Sequence, residues 1–162
     1  MEVKDNIVHD IFGAKNLDIT QIPTRANELF CFGVYTASHA INRAYSPHLK
    51  RLGVTYPQYI TLTLLWERDG QNINELAQQL GMETSTMTPL IKRLETMGYV
   101  TRTRSQSDGR AIDVTLTDQG ASLGNEAPGI TACMIEDTGL DQAELLRLQE
   151  LLLRLRDGLQ SA

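Results

Sequence analysis

The sequence predicts a mainly α domain carrying one small β-hairpin, and three observations predict it. Apolar residues recur at helical spacing through most of the chain after Pro23, in segments opened by proline or closed by glycine. Two of these segments, NINELAQQLG and METSTMTPLIKRLETMG, hold helices separated by a turn of only two or three residues after Gly81. Directly after them, a strand from Tyr99 to Arg104 leads through a loop with an Asp108-Gly109 turn signal into an alternating strand with Ile112, Val114 and Leu116.

Each element follows in order. Asn27 is placed as the N-cap of a first helix through ELFCFGVYTASHAINRAYSPHLKRL, with Glu28 in its first turn. After Gly53, the Thr55-Tyr56-Pro57 step opens a second helix that Gly70 ends; Ile60, Leu62, Leu64, Leu65 and Trp66 make it apolar almost all round, the mark of a central core helix. In the third, Ile73, Leu76, Ala77 and Leu80 share a face, Asn72 and Glu75 form a capping box, and Gly81 stops it. The fourth lines one face with Met87, Leu90, Ile91, Leu94 and Met97, and Pro89 places its first turn at about Ser85 to Thr88. Two short amphipathic helices with so brief a turn are a helix-turn-helix, and the hairpin from Tyr99 to Leu116 makes it winged. Thr117 caps a fifth helix that Pro128-Gly129 is expected to interrupt or bend. The last helix starts at Asp141, boxed with Glu144, and repeats leucine at 145, 148, 152, 155 and 159; Leu146, Leu151 and Leu153 widen the apolar surface toward a second copy of the chain. One domain results: an arm over 1–26, dimerisation helices over 27–55 and 117–162, and a winged helix-turn-helix over 56–116.

The chain carries a net charge of −5, but unevenly. From Thr84 to Arg110, Lys92, Arg93, Arg102, Arg104 and Arg110 face only Glu95 and Asp108, whereas from Thr117 onward eight carboxylates outnumber three arginines. A localised basic surface fits nucleic acid. No stretch reaches the roughly 20 apolar residues of a membrane helix, and the N-terminal segment has no signal-peptide core. The cytoplasm is the expected location, where a structural disulfide is unusual. His9, His39 and His48 lack metal-ligand spacing to the two cysteines, so no metal or cofactor is expected.

A recognition helix presents its N-terminal residues to base edges in the major groove. Here these are Thr84, Ser85, Thr86 and Thr88, with Lys92 and Arg93 further along to reach phosphates. Arg104 and Arg110 flank a hairpin tip able to enter a minor groove. Asp108-Gly109-Arg110, followed after five residues by Leu116-Thr117 and then Gly120, resembles the wing motif of the MarR family of bacterial regulators, and ELAQQLG and LIKRLETMGYVTR resemble its helix-turn-helix. The resemblance covers roughly Leu29 to Leu159. It implies a homodimer on a pseudopalindromic operator, joined by the first and last helices, with Arg110 in the minor groove and Asp108 holding the wing in shape.

Cys31 lies near the start of the first helix, where the dipole favours a thiolate, while Phe30, Phe32 and Val34 oppose it by desolvation. Position alone leaves it open between a reactive thiol and a small buried hydrophobe. Tyr35 follows one turn later on the same face; Tyr45 lies ~21 Å further along a straight helix and reaches Cys31 only across a dimer. Tyr56 opens the next helix. The segment LFCFGVYTASHAINRAYSPHLKRLGVTYPQY resembles the organic-hydroperoxide-sensing branch of that family, in its two-cysteine type. That resemblance implies that Cys31 is the peroxide sensor, supported by Tyr35 and by Tyr45 and Tyr56 of the other subunit. It also implies that Cys133 is the resolving cysteine, bonded between subunits. The residues themselves leave an intrachain bridge, or a buried inert Cys133, open. The expected function is a peroxide-responsive repressor rather than an enzyme. The alternatives are a MarR-type repressor released by a small aromatic ligand with Cys31 inert, and a thiol peroxidase.

Overall fold

The computed structural model describes residues 25–105 and 108–160; most of the expected N-terminal arm, with His9, and the tip residues Gln106 and Ser107 lie outside the described residues. The chain divides into two units, Met1–Ile41 and Asn42–Ala162.

In the first unit, Asn27 does not cap a helix. It sits inside a 3-10 turn, Ala26–Glu28, and Leu29 returns to extended backbone before helix α1 (Phe30–Lys50) begins. The Leu29 carbonyl accepts from the Gly33 amide at 3.2 Å. The expectation failed because a polar residue ahead of an apolar run also suits a turn.

The second unit begins with the rest of α1 and then forms α2 (Tyr56–Glu67), β1 (Gln71–Asn72), α3 (Ile73–Gln79), α4 (Thr84–Thr96), β2 (Val100–Arg104), β3 (Ile112–Leu116), α5 (Asp118–Leu123), α6 (Ala127–Thr138) and α7 (Gln142–Gln160). Gln58 Oε1 accepts from the Thr55 amide at 2.8 Å, fixing the entry to α2. Asn72 and Glu75 close the expected capping box around α3, at 2.9 and 3.2 Å. At the end of α3, Gly81 takes φ +61°, the left-handed conformation, and the Met82 amide turns back to the Ala77 carbonyl at 2.8 Å.

The core gathers around α2. Leu49, Leu62, Leu65, Leu76, Met87, Ile91, Leu94 and Val114 are fully buried, with Val100 nearly so. The sheet is antiparallel in the order β1-β3-β2, with Arg102 opposite Val114 and Gln71 also opposite Val114 on the other side. β1 was not expected, since two residues show no periodicity. Buried Gln71 anchors it: its amide nitrogen donates to the carbonyls of Leu64 and Arg68, at 2.8 and 2.7 Å.

The break after Thr117 also differs from expectation. α5 ends at Leu123, a 3-10 turn covers Gly124–Glu126, and Pro128 falls in the first turn of α6. Proline there only removes an amide that the first turn leaves unpaired, so it starts this helix instead of interrupting one. Asp141 and Glu144 make their reciprocal bonds at 2.9 Å each at the head of α7. α7 buries no residue, and Leu146, Leu148, Leu151, Leu152, Leu153 and Leu159 are exposed. No described helix is long and apolar enough to cross a membrane.

Candidate functional site

The second helix of the helix-turn-helix presents the polar residues expected of it. Thr84, Ser85 and Thr86 are exposed in the first turn of α4, with Lys92 and Arg93 exposed further along, and Thr88 is half-buried. The Thr88 hydroxyl donates to the Thr84 carbonyl at 2.8 Å, and the Thr84 hydroxyl to Asn74 Oδ1 of α3 at 3.0 Å. Pro89 lies in the second turn, one residue deeper than expected, because α4 already starts at Thr84. Its missing amide leaves the Ser85 carbonyl without its intrahelical partner.

The hairpin that follows is tied down at its base. The Thr117 hydroxyl accepts from the Gly120 amide at 3.0 Å and donates to the Gly98 carbonyl at 2.6 Å. A Cβ on Gly120 would meet the Tyr99 carbonyl oxygen at 1.9 Å, so this position admits only glycine. Trp66 Nε1 donates to the Gly120 carbonyl at 2.9 Å, and Asp69 Oδ1 accepts from the Leu116 amide at 2.9 Å. Near the tip, Asp108 Oδ1 accepts from the Arg110 amide at 3.0 Å, an Asx turn, while the Ala111 amide donates to the Asp108 carbonyl at 2.8 Å. Arg104, Asp108 and Arg110 are exposed. Arg102, counted with them in the basic segment, is different: it bonds Glu95 of α4 through Nε at 2.8 Å and Nη2 at 2.6 Å.

Cys31 is exposed and is the second residue of α1, closer to the helix N-terminus than expected. Phe30, Phe32 and Val34 are themselves exposed, so they do not bury the thiol within one chain. Tyr35, also exposed, meets His39 edge-on at 4.4 Å. In the second unit, Tyr45 and Tyr56 come together with ring centroids 4.6 Å apart, and Tyr59 lies 5.8 Å from Tyr45. Burial raises the Tyr45 phenol above its ordinary value, and Tyr56 and Tyr59 add to this; burial also raises Tyr56. Cys133, on α6, is exposed rather than buried, in an open cleft with Pro47, His48, Arg51, Gly129 and Ile130. The His48 ring meets Asp137 at 3.2 Å and Arg51 meets Glu126 at 2.5 Å, joining the end of α1 and the turn after it to α6 and the turn before it. Among the described residues, no cluster of His, Cys, Asp and Glu is arranged to hold a metal ion.

Residues 43–127 match the family described as "Transcriptional regulator SarA/Rot". The chain belongs to that family. The regulator is 37% identical over 118 residues to the organic hydroperoxide resistance transcriptional regulator of Bacillus subtilis (strain 168), covering 71% of this chain and 80% of that one. AbfR of Staphylococcus epidermidis, solved reduced and bound to DNA, superposes with a TM-score of 0.69 at 33% identity, over 84% of this regulator and 92% of that chain. AbfR has also been solved overoxidized and bound to DNA, and with its disulfide formed. A MarR transcriptional regulator from Methanosarcina mazei Go1 shares the fold, at a TM-score of 0.73 and 22% identity over 83% of this regulator and 99% of that chain. The winged helix-turn-helix expected from the sequence is therefore that of the MarR-type regulators.

Sequence reasoning missed three contributors to this regulator's candidate site. Asn74 and Glu95 act through partners distant in sequence, which no local pattern reveals. Tyr59 was readable only as one more apolar position in the core helix, yet it completes the tyrosine cluster.

Proposed function

We propose that this regulator is a peroxide-responsive repressor that binds a pseudopalindromic operator as a homodimer and releases it when Cys31 is oxidised by an organic hydroperoxide. The observation that carries this reading is the exposed Cys31 thiol in the first turn of α1. Support comes from the Bacillus subtilis relative, whose name ties it to organic hydroperoxide resistance. Thr84, Ser85, Thr86 and Thr88 meet bases, Lys92 and Arg93 meet phosphates, and Arg104 and Arg110 follow the wing into the minor groove, with Asp108 holding its tip. The exposed leucines of α7 and apolar residues of α1 form the dimer interface, away from membranes and in the cytoplasm.

The Cys31 thiolate attacks one peroxide oxygen; the O–O bond breaks, the alkoxide leaves and takes up a proton as alcohol, and the sulfur becomes a sulfenic acid. Tyr35, with Tyr45 and Tyr56 from the partner, donates hydrogen bonds to the thiolate; the raised phenol values keep Tyr45 and Tyr56 protonated and able to donate. The Cys133 thiol then attacks the sulfenic sulfur, water leaves, and an intersubunit disulfide forms. That AbfR binds DNA when overoxidized favours the disulfide, rather than oxidation of the sulfur alone, as the releasing event.

The test is operator binding followed by fluorescence anisotropy while cumene hydroperoxide is added. Wild type is expected to release DNA and to rebind after dithiothreitol, and Cys31→Ser to stay bound. Release by Cys31→Ser would leave the thiol without its role and favour another effector.

A further inference from the structure

The geometry points to Glu95 and Arg102 as positioning residues for operator binding: the pair sets the wing against the recognition helix and does not itself contact DNA. This rests on the DNA-binding reading of α4 and the hairpin. Glu95 lies in the last turn of α4 and Arg102 at the middle of β2. Both guanidinium contacts go to the same carboxylate oxygen, Nε at 2.8 Å and Nη2 at 2.6 Å. The side chains are 36% and 27% exposed, so the pair is sheltered more than a surface ion pair.

Its place in the hairpin makes the link mechanical. Side chains alternate along a strand, so Val100, Arg102 and Arg104 share one face of β2. Val100 is buried in the core and Arg104 is exposed. Arg102 stands between them as the last residue of that face held by the helix. Arg104 follows about 7 Å closer to the tip. Major-groove contacts from α4 and minor-groove contacts from the tip must be made together, so the angle between helix and hairpin decides whether both register. The bonded Arg102 is also withdrawn from the phosphate-binding set, leaving Lys92, Arg93, Arg104 and Arg110 as the exposed cations of α4 and the hairpin among the described residues.

The sign of one substitution separates this from simple electrostatics. Glu95 is a carboxylate on a DNA-facing module, and deleting its charge should strengthen binding if charge alone mattered. A positioning role predicts the reverse for specific DNA. The experiment uses the full chain and a duplex selected from a random pool by the wild-type protein, beside an unrelated duplex of equal length. Glu95→Gln and Arg102→Gln are each expected to weaken binding to the selected duplex by about 2- to 30-fold. Binding to the unrelated duplex should be unchanged, or tighter for Glu95→Gln. The salt dependence for Arg102→Gln should keep the wild-type slope, whereas Arg104→Gln should lower it by about 1. The exchange Glu95→Arg with Arg102→Glu should recover most of the affinity. Thermal melts of each variant show whether it is folded at the assay temperature, and the ratio of selected to unrelated binding is the readout that a loss of stability would not move.

Glu95→Gln binding the selected duplex as tightly as wild type, or more tightly, overturns the inference. So does a slope lowered by about 1 in Arg102→Gln, which makes Arg102 a phosphate contact. If the wild type selects no duplex, or if Arg104→Gln and Arg110→Gln leave binding intact, the DNA reading of the wing fails and this inference falls with it.

Discussion

Gly120→Ala tests the joint between the wing and the helices that follow it. A Cβ there would stand 1.9 Å from the Tyr99 carbonyl oxygen, where real Cβ atoms keep at least 3.0 Å, so the two segments must part by more than 1 Å. Neither is free to do so. The Tyr99 carbonyl accepts from the Thr117 amide at 3.0 Å, the Thr117 hydroxyl caps the Gly120 amide at 3.0 Å, and Trp66 holds the Gly120 carbonyl at 2.9 Å. Forcing a methyl into a packed site costs about 1–3 kcal/mol. Losing the threonine cap adds about 1 kcal/mol. Together these come to about 2–4 kcal/mol, a large share of the roughly 5–15 kcal/mol that holds a domain folded. The melting temperature should fall by about 10 °C. Urea unfolding followed by circular dichroism measures the loss. A Gly120→Ala variant within about 1 kcal/mol of wild type would refute the reasoning, because the joint would then be soft enough to open without cost.

Three further outcomes are expected. Cys133→Ser should still be oxidised by hydroperoxide but should release operator only when a small-molecule thiol is supplied, which anisotropy with and without added cysteine reads directly. Leu148→Glu with Leu152→Glu, one turn apart on the exposed surface of α7, should give a monomer by analytical ultracentrifugation and abolish operator binding. The phenols of Tyr45 and Tyr56 are raised above 10.0, so the folded state holds their protons more tightly than the unfolded chain. The stability tied to them is therefore fully present below about pH 10 and is lost as pH rises through the folded values. Tyr45→Phe and Tyr56→Phe should flatten that alkaline decline in pH-dependent urea titrations.

Much of the fold is legible in the sequence because its signals are local. The Asn72–Glu75 and Asp141–Glu144 capping boxes lie three residues apart, and the alternation of Ile112, Val114 and Leu116 marks the second strand of the hairpin. What failed to be legible depends on non-local partners or short elements. Asn27 looked like a cap because the backbone that makes Ala26–Glu28 a 3-10 turn leaves no periodic trace. Pro128 looked like a breaker because the turn at Gly124–Glu126, which ends the previous helix first, is equally silent. Arg102 read as one more cation until Glu95, seven residues back on another element, was seen to hold it. The site divides in the same way. The polar start of α4 and the wing motif stand in the sequence, whereas the exposure of Cys133 and the meeting of Tyr45, Tyr56 and Tyr59 arise only on folding.

The redox switch turns on which sulfur meets the peroxide. The direct measurement traps sulfenic acid with dimedone in the Cys133→Ser protein, under conditions where wild type releases its operator, and locates the adduct by peptide mass spectrometry. The adduct is expected on Cys31, forming with about one equivalent of organic hydroperoxide. Operator release from wild type while Cys31 remains an unmodified thiol would contradict it.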